Sequence, residues 1–373
     1  MALFGAGAYG RLCISYMRQN NYNVVCFIDN DKNKQNTFIE NIPVISLNDI
    51  FEYDIVLITS FSINIIDEIL EYKINKPIIS FNKWFTIKNI KEFINISNIL
   101  YDNESKKVLK NILLSKINND NNLLYEIYDN QQYFSIPNFH YSFPNEIFID
   151  IGAFVGDTLE KFINIYYGIF NKIYAFEPGT KQFNALKTRV DRLIKEWALN
   201  ENSIILKKCG VSNYNGESYF NENSQIAINS ITNSINNNKI NIVSIDSTLL
   251  NEHITFIKAD IEGEELNMLK GAKNTIKKYK PKIAISVYHR PDDLLTIPKY
   301  IKSIVPEYKF SLRHHSITFN ETVLYCWTRP DQTRPDQTRP DQTRPDLIFT
   351  YVAITYYFII IQNIRNYNLH CNT

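Results

Sequence analysis

Residues 146–157, E-I-F-I-D-I-G-A-F-V-G-D, constrain the fold more than any other stretch. They open with an apolar run, 147–151, of the length of one buried parallel strand. Gly152 and Gly156 mark a turn, and Thr158, Leu159, Phe162 and Ile163 then follow helical spacing. A strand, a glycine turn and a helix make the first βα unit of a doubly wound sheet, whose ligands sit beyond the carboxyl ends of the strands. A second strand, K-I-Y-A-F from Lys172, ends in Glu177 and Pro178. Glu177 stands roughly twenty residues past the turn, where an acid that binds a ribose hydroxyl is expected.

The spacing of the turn separates two kinds of cofactor. A dinucleotide turn sets three glycines close together so that backbone N–H groups reach a pyrophosphate. Here the pattern is Asp150-x-Gly152-x-x-x-Gly156-Asp157, with an acid at each end. Two carboxylates repel a pyrophosphate and suit a cationic cofactor. S-adenosylmethionine carries a sulfonium, an ammonium and a ribose, and would use Asp150, Gly152, Gly156, Asp157 and Glu177. The structural alternative is a tight turn whose acids cap the next helix.

At 373 residues the chain has room for two domains, and 45% hydrophobic with 21% charged residues argues against disorder. A net charge of +1 gives no electrostatic case for nucleic acid. Five cysteines without a C-x-x-C point to reduced thiols in a cytoplasmic protein, not to a disulfide frame or a zinc site. No signal peptide leads the sequence, which agrees with that location.

Residues 1–88 alternate short apolar runs with a helical segment and read as a small Rossmann-like domain. Its first turn is G-A-G-A-Y-G from Gly5, and Asp29 ends the next strand. One reading is nucleotide or nucleotide-sugar binding; the other is a fold kept for packing or oligomerisation. Residues 89–144 form a linker with helical spacing at 105–117. It ends in an aromatic stretch, including Tyr133, Phe134, Phe139, His140, Tyr141 and Phe143, that either closes over an active site or packs between domains.

Beyond Pro178 a helix is expected over 181–197 and a third strand over 203–206, leading to a turn at Cys209 and Gly210 that borders an adenine in such folds. Residues 217–221 would start a hairpin, 221–241 a mobile surface loop, and 242–246 a short strand. The fourth strand, 254–259, runs into Asp260-Ile-Glu262-Gly-Glu264-Glu265. Asp260, at the strand end, is the site candidate; Glu264 and Glu265 are assigned to helix capping. The fifth strand, from Pro281, ends at Tyr288 and His289, and two antiparallel strands follow over 308–315 and 321–327. Asp260 and His289, with Glu262 behind them, are the candidates for a general base. Their spacing matches no metal-ligand pattern, and none is assigned to a metal.

Several strings together carry a resemblance. F-I-D-I-G-A-F-V-G-D-T from Phe148, Y-A-F-E-P from Tyr174, I-K-A-D-I-E-G-E-E from Ile257, S-V-Y-H-R-P-D-D-L from Ser286 and E-T-V-L-Y from Glu321 occur in the order found in FkbM-type S-adenosylmethionine-dependent methyltransferases. Residues 145–327 resemble that family throughout. The resemblance implies an α/β class I methyltransferase fold, a doubly wound seven-stranded sheet closed by an antiparallel pair. It also implies methyl transfer to a hydroxyl of a sugar or another small hydroxylated acceptor. The N-terminal segment resembles Rossmann-like domains on bacterial sugar-modifying enzymes, which suggests glycan biosynthesis. The rival readings are a nucleotide-sugar oxidoreductase or epimerase, for which the N-terminal segment is about half the usual size, and a non-catalytic nucleotide-binding scaffold. Residues 328–346 repeat T-R-P-D-Q as an extended tether, and the apolar tail at 347–373 is expected to lie outside the enzyme. Its uncharged run, 347–361, is shorter than the ~20 residues of a spanning helix, so membrane contact through it is a secondary reading.

Overall fold

A computed structural model describes residues 1–49, 51–60, 76–141, 143–220, 231–232 and 238–328. The T-R-P-D-Q repeat beyond Thr328, the apolar tail and most of the expected surface loop lie outside these residues.

The first unit is built on strands β1 (Ala2–Phe4), β2 (Cys26–Ile28), β3 (Phe38–Ile39), β4 (Ile42–Ile45), β5 (Val56–Ile58) and β6 (Ile78–Ser80), in sheet order β3-β4-β2-β1-β5-β6. All neighbours pair in parallel except β3 and β4. The helix Ala8–Gln19 turns Cys13, Ile14 and Met17 onto this sheet. Gly10 permits that approach, because a Cβ there would stand 2.1 Å from the Gly5 carbonyl oxygen. Asp29 accepts hydrogen bonds from the Ala6 and Asp31 N–H groups and pairs with Lys34, so the acid of the G-x-G-x-x-G pattern closes its own turn.

Helices Phe81–Lys88, Ile90–Ile99 and Asn103–Asn118 join this unit to the next. The third is capped by Asp102, whose Oδ1 accepts the Ser105 N–H at 2.7 Å. Asp102 also pairs with Arg313 at 3.2 Å, and Ser105 Oγ accepts the Leu312 N–H. The linker is therefore fastened to an edge strand of the second sheet.

That sheet comprises β7 (Ile147–Ile151), β8 (Lys172–Phe176) and β9 (Ile204–Lys207), then, past a side sheet, β14 (Phe256–Ala259), β15 (Lys282–Ser286), β16 (Lys309–His314) and β17 (Thr322–Trp327). Its order is β16-β17-β15-β14-β7-β8-β9, and only β17 runs against its neighbours. This is the seven-stranded class I arrangement expected from the sequence. The side sheet, β10 (Gly210–Val211), β11 (Gly216–Phe220), β12 (Ile231–Thr232) and β13 (Asn238–Val243), has the order β10-β13-β11-β12. It corrects part of the expected loop: residues 238–241 are strand, paired with β11, because the alternation of Ile240 and Ile242 supports a ladder despite the asparagines. The remainder of that loop, 221–230 and 233–237, lies outside the described residues.

Most of the aromatic stretch is core. Phe134 and Phe139 meet Phe256 edge-on, and Phe139 also meets Tyr325 and Trp327. Tyr133 is buried with them but turns its hydroxyl to the cleft described next, whereas His140 and Phe143 are exposed.

Candidate active site

The carboxyl ends of β7, β8 and β14 open into a cleft of about 330 Å³. Strand β7 positions its first wall. Ile149 and Ile151 face one core layer while Phe148 faces the other. Gly152 then adopts φ +75°, where a Cβ would lie 1.9 Å from the Asp260 carbonyl oxygen. The glycine thus lets the turn approach the neighbouring loop. Gly156, at φ +85°, likewise packs close to Leu186. Both glycines are demanded by the protein's own packing; only Gly152 borders the cleft.

Asp150 does not face the cleft. It is fully buried, 3.0 Å from Lys258 Nζ on the adjoining strand, and the two residues are direct register partners. Lys258 also donates to the Gly152 carbonyl at 2.7 Å. Burial pushes the Asp150 carboxyl up to about 6, with Lys258 drawing it down. Its expected place beside the cofactor is corrected on this ground: strand alternation turns it inward, where it supports the turn. Asp157 does line the cleft, as the first residue of the helix Asp157–Ile165.

Glu177, just beyond β8, is also at the cleft. Its carboxylate accepts the Phe154 N–H at 2.9 Å and the Gly179 N–H at 2.7 Å, one on each oxygen, which leaves a lone pair on each free for a diol. Burial pushes its pKa up to about 7, although both N–H groups oppose this. Gly210 contributes to the same wall.

The opposite end is built from the strand ends of β14 and β15. Asp260 accepts the Tyr133 hydroxyl at 2.7 Å on Oδ2. Burial alone would raise Asp260, but the charges of His289 and Lys258 and the Tyr133 bond hold it below the usual range. His289 Nε2 stands 3.4 Å from Asp260 Oδ1 and 3.4 Å from Glu262 Oε2, and its Nδ1 lies 2.8 Å from Glu265 Oε1. Burial would lower this imidazole, yet Glu265, Asp260 and Glu262 together raise it to about 10. Glu262 is pushed up to about 7 by burial, against the pull of His289. The structure thus brings the three base candidates together.

The expected placement of Glu264 and Glu265 at a helix start is met, at the N-cap and in the first turn, but Glu265 does more. Its carboxylate reaches back to accept the Ile261 and Gly263 N–H groups, ahead of the helix Glu265–Gly271, and so braces the acidic loop. Glu264 makes no capping bond; it accepts from Ser212 Oγ at 3.1 Å and from Asn267.

Sequence reasoning did not single out Gln132, Lys258 or Glu321, and named Tyr133 only within the aromatic stretch. Tyr288 donates to Glu321 Oε1 at 3.1 Å, and Gln132 donates to the other oxygen of Glu321. These groups form the polar rim beside Asp260. A signal existed for Lys258: a single cation in the buried run F-I-K-A, matched by a single acid in I-F-I-D-I.

The cleft's donor set can be tested against a cofactor. Among the described residues six carboxylates line it, those of Asp157, Glu177, Asp260, Glu262, Glu264 and Glu321, and the only basic side chain in the lining, Lys258, is engaged with Asp150. Such a surface repels a pyrophosphate and suits a molecule bearing cationic centres and a ribose diol.

The fold and this cleft define a class I α/β methyltransferase. Residues 150–312 match the model of the methyltransferase FkbM domain, and residues 1–80 match that of the C2185-like N-terminal domain. Residues 150–312 are thus similar to a methyltransferase FkbM domain, a class whose cofactor is S-adenosylmethionine. Among solved structures, methyltransferase FkbM from Methylobacillus flagellatus KT is 24% identical, with a TM-score of 0.56, over 87% of this chain and 89% of that one. An rRNA methylase from Streptococcus thermophilus matches at 13% identity and a TM-score of 0.32, over 56% of this chain and 94% of that one. Aeropyrum pernix fibrillarin, in complex with natively bound S-adenosyl-L-methionine, matches at 11% and 0.30, over 49% and 66%. No curated protein matches the sequence.

Proposed function

We propose that the cleft transfers a methyl group from S-adenosylmethionine to a hydroxyl oxygen of a sugar or another small polyhydroxylated acceptor during glycan assembly. The observation that carries this reading is the run of carboxylates along one cleft, from Glu177 at one end to Asp260 and Glu321 at the other. The cofactor supplies an electrophilic methyl on a sulfonium, so the protein's task is to bring an oxygen into line with it. Glu177 accepts the ribose diol, Gly210 and the Gly152 turn border the adenosine, and Asp157 attracts the ammonium. At the far end, Gln132, Tyr288 and Glu321 offer an amide, a phenol and a carboxylate, a set suited to several hydroxyls. Asp260, Glu262 and His289 surround the position where the acceptor hydroxyl gives up its proton.

The N-terminal sheet has no part in this reading, because Asp29 is occupied by its own turn and by Lys34. A reducing, cytoplasmic setting agrees with Cys13, Cys26, Cys209 and Cys326, which are all free and buried. Among the described residues no helix is long and apolar enough to cross a membrane.

The test is methyl transfer from radiolabelled cofactor to a panel of nucleotide sugars, free sugars and cell-surface glycans, with the product mapped by NMR. A new O-methyl resonance on a sugar ring is the expected result. Methyl groups found only on nitrogen or carbon, or transfer to none of the panel, would remove the hydroxyl-acceptor reading.

A further inference from the structure

The imidazole of His289 has surroundings that methyl transfer alone does not explain. Its side chain is 8% exposed, and while Nδ1 meets Glu265 at 2.8 Å, Nε2 has no hydrogen bond, its nearest carboxylate oxygens standing 3.4 Å away. Buried polar nitrogens are rarely left in this state. Three carboxylates face the ring: Glu265 on Nδ1, and Asp260 and Glu262 on Nε2. Glu265 is fixed by two loop N–H groups, and Asp260 is steadied by Tyr133 on its other oxygen. Atoms of Asp260, Glu265 and His289 all lie within 4.8 Å of one another.

We infer that His289 Nε2, Asp260 and Glu262 bind one divalent metal ion at the acceptor end of the cleft, with Glu265 orienting the ring from behind. The inference rests on the proposed hydroxyl-acceptor reading for its chemical purpose, though not for its geometry. A separation of 3.4 Å is long for a hydrogen bond, but it suits two ligands that share an ion with bonds of ~2.1 Å. A buried carboxylate on the far nitrogen of a ligating histidine is a recurrent support, setting tautomer and ring plane. One imidazole with two carboxylates suits a borderline-hard ion such as Mn²⁺, and the ion's charge offsets the crowded acids. All three ligands come from the ends of neighbouring strands or the turn between them, which fixes them on a rigid frame.

A bound ion would take the acceptor hydroxyl as a further ligand and lower its pKa. The O–H bond breaks and its proton passes to water. The oxygen lone pair forms the new O–CH₃ bond, and the S–CH₃ electron pair stays on sulfur. The alternative occupant of this space is a proton: an imidazolium neutralised by its three acids, needing no metal.

The experiment titrates chelator-treated protein with Mn²⁺, following the free ion by EPR and cofactor affinity by calorimetry in parallel. The expected result is one Mn²⁺ per chain, with affinity at least tenfold weaker in both His289→Gln and Glu262→Gln, while S-adenosylmethionine affinity stays within twofold. The retained cofactor affinity reports that each variant is folded, and having two variants guards against the loss of one. Wild-type protein that takes up no Mn²⁺ at millimolar concentration, or both variants binding it equally well, overturns the metal site. Methyl transfer that persists undiminished in excess chelator also overturns it, and leaves the hydroxyl-acceptor reading standing. Stoichiometric Mn²⁺ binding without any sugar methylation supports the site and counts against that reading instead.

Discussion

At the scale of single residues, Glu177 carries the sharpest consequence. Burial raises its pKa to about 7, and a diol hydrogen-bonds best to the anion. The sign follows directly: the anion is lost as pH falls through 7, so cofactor affinity should fall below that pH, by up to about tenfold per unit. Glu177→Gln should bind about 1.5–3 kcal/mol more weakly at pH 8 and show a flat profile between pH 6 and 8. Calorimetry across that range checks both; a wild-type profile as flat as the variant's would remove Glu177 from the ribose. The stability of the cofactor-free chain runs the other way. A carboxyl raised by folding contributes stability below its unfolded pKa, and this is lost as pH rises through about 7. Tyr133 is the second residue to test. Tyr133→Phe keeps the ring and removes one charge-assisted bond to Asp260, so turnover should fall about 10–100-fold with cofactor affinity unchanged. Equal turnover would make Tyr133 a packing residue. Glu177 was legible because strand-end acids follow a spacing rule. Tyr133 was not, since its reach to Asp260 depends on how residues 129–144 cross the sheet, and no local pattern encodes that path.

At the scale of elements, the pairing of β7 with β14 organises the cleft. Each strand carries one buried charge, Asp150 and Lys258, directly opposite each other. Lys258→Met should cost about 3–5 kcal/mol in denaturant unfolding, because it leaves a buried carboxylate alone. A loss under about 1 kcal/mol would mean that the pair is already neutral. Gly152 and Gly7 give a matched contrast. Gly152→Ala forces a Cβ against the Asp260 carbonyl at positive φ and should cost about 2 kcal/mol or more. Gly7→Ala meets nothing within 4 Å and should be nearly silent. Thermal unfolding of the two variants checks the difference. The sequence displayed the strands of the main sheet well, because buried parallel strands are continuous apolar runs closed by acids and glycines. It displayed the side sheet poorly. Strands rich in asparagine lack such runs, and β13 holds its place by pairing across 17 residues or more with β11. The bracing of the acidic loop by Glu265 was missed for a related reason: composition places an acid near a helix start but does not tell which N–H groups it turns to.

At the scale of the whole molecule, the described residues form three sheets, the N-terminal one joined to the other two by a helical linker that is tied to β16 through Asp102, Ser105 and Arg313. Among the described residues the last strand of the seven-stranded sheet ends at Trp327. A chain ended at Thr328 should therefore keep its cofactor affinity and turnover. If it fails to fold, part of the sequence beyond Thr328 is core; if it merely leaves a membrane fraction, that part is an anchor. Fractionation and assay of both lengths decides between these outcomes.

The position of β17 also governs the order in which this chain can fold as it is synthesised. The N-terminal sheet has all its strands once Ser80 has left the ribosome. The larger sheet cannot close in the same progressive way, because its last strand lies between β15 and β16, with both already made. Until Trp327 emerges, Ile283 and Ile285 on β15 face an unpaired edge, and β16 has no partner in the sheet. Between the emergence of Ser286 and that of Trp327 the nascent chain thus holds a completed N-terminal sheet and an open, apolar strand edge, the state in which chaperone binding or aggregation is decided.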